Sequence, residues 1–311
     1  MKPSGIGGQA VIEGIMMKNK DMYSVAVRKP DGEIEVNLGT YRSIMKNKML
    51  RETPLIRGVV NFIDSLILGM RTLTFSASFY EEEEEPTRTD LFLDKLFRGN
   101  AEKVITGATV TFSVVMAVGI FILLPYFITN LLVNYVTNNT LLAIFEGVVR
   151  VGIFLLYVVL ISRMKDIQRV FMYHGAEHKC INCIENGMEL TVENVMKSSK
   201  HHKRCGTSFL FIVMIVSIIF FIFIRVTSPV LRVAIRLLLI PVISGVSYEL
   251  IRLAGRSESR FVSVISWPGM MMQRLTTKEP DEKMVEVAIA AVEAVFDWDT
   301  FIHEELKEVE V

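Results

Sequence analysis

The run Val104–Ile128, VITGATVTFSVVMAVGIFILLPYFI, carries no charged side chain. About 20 helical residues cross the hydrocarbon core of a bilayer, so this stretch predicts a membrane span. Outward from it, three more apolar runs read the same way. Leu141–Ser162 holds Glu146 and Arg150 one helical turn apart, and Thr207–Ile224 is almost purely apolar. Val230–Leu253 is interrupted by Pro241 and Gly245 and carries Arg232, Arg236, Glu249 and Arg252. An ionised group in lipid costs on the order of 3 kcal/mol even on lenient scales, so these charges are expected to face a bundle interior or to pair. The local pairs are Glu146 with Arg150 and Glu249 with Arg252. A break near Pro241 also frees backbone carbonyls, a feature of transporter sites.

Composition agrees with long apolar spans separated by charged soluble parts. The 311 residues are 51% hydrophobic yet 22% charged, with a mean hydropathy of +0.39. A formal net charge of zero gives no reason to expect nucleic acid as a partner. The first residues lack a continuous apolar run after a basic start, which argues against a cleaved signal peptide.

Before the spans, residues 1–103 read as an α+β region. Gly5–Gly14 is glycine-rich but fits neither a P-loop nor G-x-G-x-x-G, so its glycines are expected to serve tight turns next to a strand. Tyr23–Arg28 and Glu33–Leu38 alternate around Pro30-Asp31-Gly32 and predict a β-hairpin. Pro54–Tyr80 has helical periodicity but is interleaved with Arg57, Asn61, Asp64 and Arg71, which predicts an interfacial or core-packing helix rather than a span. Glu81–Glu85 before Pro86 reads as a solvated linker. After the spans, residues 256–311 read as a helical tail. It begins with a turn at Trp267-Pro268-Gly269 and a short Met-rich helix. An amphipathic helix follows, with Met284, Val285, Val287, Ala288, Ala291, Val292 and Val295 on its apolar face, and is expected to pack on the N-terminal region. The predicted architecture is a predominantly α, four-span membrane bundle (104–255) with a small α+β region containing an N-terminal hairpin and a C-terminal amphipathic helix.

Loop charge orients the spans. Asn130–Thr140 has no lysine or arginine, whereas 163–206 holds Arg163, Lys165, Arg169, Lys179, Lys197, Lys200, Lys203 and Arg204. The positive-inside rule places that loop and both termini in the cytoplasm of a cell with an inner membrane.

The same loop carries four of the five histidines: His174, His178, His201 and His202. In His174-Gly175-Ala176-Glu177-His178 a helix puts both imidazoles on one face with Glu177 beside them. Two such rings can grip one metal ion, and the carboxylate can take a proton from a water on it. The letters fit H-x-x-E-H, the reversed zinc-peptidase pattern. Against this stands the plain alternative of a solvated histidine pair. Three cysteines, Cys180, Cys183 and Cys205, cannot all pair and cluster beside the histidines, which favours metal or thiol chemistry over disulfides. Candidates for a third ligand are His202, Cys205 and the intramembrane Glu249. A straight continuation from Ser162 would carry His174 roughly 18 Å past the membrane exit, away from Glu249, so His202 and Cys205 are preferred. The expected site is therefore a divalent ion, zinc above iron, nickel or copper, on His174, His178, His202 and Cys205, with Glu177 as the catalytic carboxylate.

Several strings together resemble the YqhQ-like bacterial membrane proteins. They are Gly7-Gly8-Gln9-Ala10-Val11-Ile12-Glu13-Gly14, His174-Gly175-Ala176-Glu177-His178-Lys179, Arg204-Cys205-Gly206-Thr207-Ser208-Phe209, Ser247-Tyr248-Glu249-Leu250 and Trp267-Pro268-Gly269 leading to Leu275-Thr276-Thr277-Lys278-Glu279-Pro280-Asp281. The resemblance covers nearly the whole chain and implies a predicted metal-dependent enzyme without an established reaction. Lys203 stands where that family often has proline, and Cys180 and Cys183 are not among its features. Three functions compete: a metal-dependent hydrolase at the cytoplasmic membrane face, a non-enzymatic scaffold or biogenesis factor with a structural metal, and a small transporter. The expected partners are membrane lipid and a membrane protein or peptide substrate; oligomeric state is open.

Overall fold

The computed structural model describes residues 3–80, 97, 101–202, 205–224, 226, 228–254 and 260–305. The acidic run Glu81–Glu85 and the pair Lys203 and Arg204 lie outside the described residues. Two compact units are present. Unit 1 comprises Met1–Tyr80, Val158–Val216 and Leu238–Val311; unit 2 comprises Glu81–Tyr157 and Ser217–Leu237.

Unit 1 is built on a four-stranded antiparallel meander, β1 (Gly7–Val11), β2 (Gly14–Asn19), β3 (Met22–Arg28) and β4 (Ile34–Thr40), in the order β1-β2-β3-β4. The expected hairpin is β3–β4, with Arg28 opposite Ile34. The glycine-rich stretch is itself a strand, with Val11 opposite Gly14 across a two-residue turn at Ile12-Glu13. Glu13 takes the left-handed φ of 49° there, and a Cβ on Gly14 would sit 2.3 Å from the Ala26 carbonyl oxygen.

Strand alternation divides the core in two. Ile15, Met17 and Ala26 face one way, against helices α6 (Lys165–Glu185) and α11 (Glu282–Glu293). Met16, Tyr23, Val25 and Val27 face the other way, against Leu68 of helix α2 (Ile56–Ala77), which follows a short α1 (Lys48–Glu52). The C-terminal helix and the turn after it are fastened to the sheet by Ser24 Oγ donating to Ala291 O at 2.6 Å and Asn19 Nδ2 donating to Val295 O at 2.8 Å.

The remaining helices are α3 (Ala101–Val118), α4 (Leu124–Asn130), α5 (Asn139–Ile161), α7 (Val192–Lys197), α8 (Gly206–Ile222), α9 (Pro229–Ala254), α10 (Arg260–Thr276) and the short α12 (Trp298–Thr300). A π-helical turn, Gly119–Leu123, joins α3 to α4 just before Pro125. Among the described residues four helices are long and apolar enough to cross a membrane: Ile56–Ala77, Val104–Asn130, Thr140–Ile161 and Val230–Leu253. The chain is predominantly helical, with four candidate spans and a small N-terminal sheet.

The set of four differs from the expected one in one member. By length and composition α2 qualifies, while α8 has only the shorter apolar stretch Phe209–Ile222. α2 nevertheless uses its polar side chains within the protein: Asp64 accepts from Tyr41 Oη at 2.5 Å and Ile44 N at 3.0 Å, and Asn61 Nδ2 donates to Tyr248 Oη at 2.8 Å. Its opposite face leaves Ile63, Leu66, Ile67 and Met70 exposed.

Three other expectations are corrected. Pro241 does not break the fourth span, since α9 runs on with the proline inside it. Gly245 is there for close approach: a Cβ would stand 2.7 Å from the Leu55 carbonyl oxygen. Trp267-Pro268-Gly269 lies within α10 rather than in a turn. Glu249 pairs not with Arg252 but with Arg57, which binds both of its oxygens, through Nε at 2.6 Å and through Nη2. A two-pronged partner from α2 outcompetes a neighbour one turn away.

Candidate metal centre

Helix α6 starts after Ser162–Met164, where the chain turns out of α5, with Asp166 in its first turn complementing the helix dipole. Tyr173, Ala176, Cys180 and Ile184 follow a three-to-four residue spacing and are buried against the sheet. The adjoining face presents His174, Glu177 and His178 to a cavity of about 100 Å³, also lined by Gly8, His202 and Cys205.

Both imidazoles are tethered from behind. His174 Nδ1 lies 2.9 Å from Thr276 O, and His178 Nδ1 lies 2.7 Å from Lys200 O. A carbonyl only accepts, so each Nδ1 carries a proton, and in the neutral ring each Nε2 then keeps the lone pair that a metal needs. This carbonyl support is how metal-binding histidines are commonly fixed. His174 Nε2 lies 3.2 Å from Cys205 Sγ, and the two rings are 4.3 Å apart. One donor atom from each of His174, His178 and Cys205 falls within 4.8 Å of the others. Tetrahedral donors at about 2.0–2.3 Å from one ion stand about 3.3–3.8 Å apart, so these three would draw together by up to about 1 Å around a single ion. The Thr207 N–H donates to the Cys205 sulfur at 3.4 Å and the Thr207 hydroxyl lies 3.3 Å from it, which fixes the direction of that side chain.

The tethers have their own supports, and sequence reasoning missed them. Lys179 Nζ donates to Met196 O at 2.8 Å and Ser198 O at 2.9 Å, and Asn182 Nδ2 donates to Ser199 O at 2.6 Å. These bonds fold the 196–201 loop so that the Lys200 carbonyl meets His178. On the other side, Lys278 N donates to Phe171 O at 2.9 Å, laying the 276–280 segment along α6. Gly175 makes room for it, because a Cβ would come within 2.0 Å of Lys278 O. The only sequence signals were Gly175 itself and the Lys179 and Asn182 positions beside the histidines.

Glu177 is 5% exposed, and its carboxylate accepts the Gly8 N–H at 3.1 Å. Gly8 lacks a side chain where Glu177 Cγ would lie 2.9 Å from a Cβ, which gives the N-terminal glycine motif a role at this cavity. Glu13 of the same motif binds Arg169 with both oxygens and accepts from Tyr173 Oη at 3.2 Å.

His202 lines the cavity but stands apart from the three-donor group. Gln273 clamps its backbone, accepting its N–H at 2.9 Å and donating to its carbonyl at 2.7 Å. Its Nε2 faces Glu185 Oε2 at 3.5 Å, while Ser4 donates to the other Glu185 oxygen through both N and Oγ at 2.8 Å. Glu249 is committed to Arg57 and is not among the three. Burial pushes the Cys180 thiol well above its usual range and the Cys183 thiol up as well, so both stay neutral core groups.

Comparison with known proteins gives the kinship of the chain but no reaction. Residues 53–298 match a family described as a protein of unknown function (DUF1385). The chain is 33% identical over 288 residues to "Uncharacterized protein YqhQ" of Bacillus subtilis (strain 168), covering 92% of this chain and 91% of that protein. No solved structure matches. With the family match extending over most of its length, this chain belongs to the DUF1385 family.

Proposed function

We propose that this protein is a membrane-anchored, metal-dependent hydrolase whose divalent ion, zinc by donor chemistry, is held by His174, His178 and Cys205. The observation that carries the reading is the convergence of three donor atoms whose two imidazoles are both tied back to carbonyls. Three protein ligands with room beside them is the arrangement of catalytic rather than structural zinc. A zinc ion held there would supply Lewis-acid chemistry, making water acidic near neutral pH. Glu177, steadied by the Gly8 N–H, takes the proton of the attacking water and returns it to the leaving group. Burial of Glu177 and His178 keeps bulk water away from that transfer. The basic loop 163–206 supports a cytoplasmic position for the site at an inner membrane, so the substrate class is a membrane-associated peptide or lipid ester reached from that leaflet.

One observation favours a competing reading. His202 lies on the same cavity, its ring 5.7 Å from that of His178. A rotation away from Glu185 would make it a fourth ligand and the ion a structural one.

Elemental analysis of the detergent-purified protein separates these readings. About one metal per chain is expected in the wild type and near none in His174→Ala and Cys205→Ala, while His202→Ala keeps its metal. Glu177→Gln is expected to keep the metal and to lose all turnover of peptide and phospholipid ester substrates. Metal loss in His202→Ala, or in Glu177→Gln, would instead support the structural ion.

A further inference from the structure

Unit 2 carries a second buried polar cluster that plays no part in the metal centre. Glu146 on α5 accepts from Arg150 Nη2 at 2.8 Å and from Arg236 Nη2 at 2.6 Å, and the side chains of all three are 4–6% exposed. Arg150 is otherwise well served. Its Nη1 donates to Ser217 Oγ at 3.1 Å, and its Nε donates to Phe121 O at 3.0 Å. Pro125, four residues on, has no N–H to give that carbonyl.

Arg236 is different. Its Nε and Nη1 are buried without a hydrogen-bond acceptor among the described residues, and so is the Thr129 hydroxyl. Arg236 and Thr129 both line one cavity of about 110 Å³ in this unit. A water needs roughly 10–15 Å³ measured this way, so the space admits a polyatomic ion. Arg232 lines it too, donating to the Val226 carbonyl at 3.0 and 2.7 Å. Among the described residues, Glu146 thus answers Arg150 and Arg236 while Arg232 has no carboxylate partner, a surplus of positive charge that low-dielectric surroundings penalise unless an anion answers it. The rings of Tyr126 and Phe221 hold the Arg236 guanidinium at 5.1 and 5.0 Å, fixing its plane before any ligand arrives.

We propose that this cavity is an oxyanion site of phosphate class, with Arg236 Nε and Nη1 and Thr129 Oγ1 as its donors. Several diverging donors and an excess of arginine suit an anion with several acceptor oxygens. The cavity wall includes Asn130 at the end of α4, Ile222 at the end of α8 and Arg232 in the first turn of α9. It therefore opens among helix termini, within reach of both a lipid headgroup and a free ion.

The test is isothermal titration of the full-length protein in micelles with inorganic phosphate and, separately, with dihexanoyl phosphatidylglycerol; dihexanoyl glycerol is the phosphate-free control. One saturable site per chain is expected, with no binding of the control. Binding of both probes assigns a free oxyanion; binding of the lipid alone assigns a headgroup. Arg236→Gln is expected to weaken binding at least about tenfold, as for loss of a charged hydrogen bond. Thr129→Val, which leaves the ion pairs intact, weakens it by a few fold. Glu146→Gln tightens it, because the competing carboxylate is gone. Failure of both probes to saturate, unchanged affinity in Arg236→Gln and Thr129→Val, or weaker binding in Glu146→Gln would overturn the assignment. Metal content is read in parallel, so failure here leaves the hydrolase reading untouched.

Discussion

Around His174 and His178, buried polar groups are held by many separate hydrogen bonds from distant stretches of chain. The Thr276, Lys200, Met196, Ser198 and Ser199 carbonyls, the Gly8 N–H and the Gln273 amide each supply one or two of them. Around Glu146 the arrangement is the reverse: one carboxylate receives both buried arginines. The first design spreads its stability over backbone geometry, so that no one bond is decisive. The second concentrates it in a single side chain. That contrast suits a site that must hold donor atoms in fixed directions on one hand, and a site poised to take a charged ligand on the other.

The sharpest way to break the contrast is Glu146→Leu. It strands two guanidiniums that are 4–6% exposed, and breaking a buried pair from one side costs about 3–5 kcal/mol. Chemical unfolding in mixed micelles should show a loss of that size. A loss under about 1 kcal/mol would mean that the arginines find other partners, and the concentrated design would be wrong.

At the metal centre the corresponding probe is Gly175→Ala. The added methyl would overlap the Lys278 carbonyl, which stands 2.0 Å from the ideal Cβ position. Backbone is the obstacle, so α6 and the 276–280 segment must separate, at about 1–3 kcal/mol for overpacking. The separation also withdraws the Thr276 carbonyl from His174, so metal content should fall together with stability. Stability lost with full metal retained would show that this tether does not orient the ring.

The two clusters also differ in how much of them could be read from residue order. Glu146 and Arg150 announce themselves by one-turn spacing inside an apolar run, and His174 and His178 by the same spacing inside a polar one. Cys205 could be suspected from its neighbours. Arg236 joining Glu146 across 90 residues could not, nor could Glu249 choosing Arg57 across 192. Local spacing names the candidates for pairing, and only packing decides among them. The carbonyls of Lys200 and Thr276 were illegible for a deeper reason: every residue has a carbonyl, so nothing in the letter at 200 or 276 records its use. The sheet was legible where alternation and Pro30-Asp31-Gly32 coincide, but β1 was hidden because Gly7 and Gly8 read as turn formers. Gly8 is instead a strand residue kept small by Glu177 and Met16. The helix Ile56–Ala77 was read correctly as a helix, while its hydropathy, diluted by Arg57, Asp64 and Arg71, left its relation to the membrane to be judged from its contacts.

The smallest effect should come from one of the distributed bonds in unit 1, well away from the cavity. Ser24 is fully buried on β3, and its hydroxyl donates to Ala291 O at 2.6 Å, one of several ties between the sheet and α11. Ser24→Ala removes that donor without adding bulk, and neighbouring ties such as Asn19 to Val295 remain. A single neutral hydrogen bond contributes about 1 kcal/mol net, so unfolding should shift by about that much, with metal content unchanged. A shift approaching that of Glu146→Leu would mean that α11 hangs on this one bond, and that unit 1 is no more distributed than the cluster it was contrasted with. A shift near 1 kcal/mol or less would place the robustness of the metal centre in the number of its supports rather than in the strength of any one.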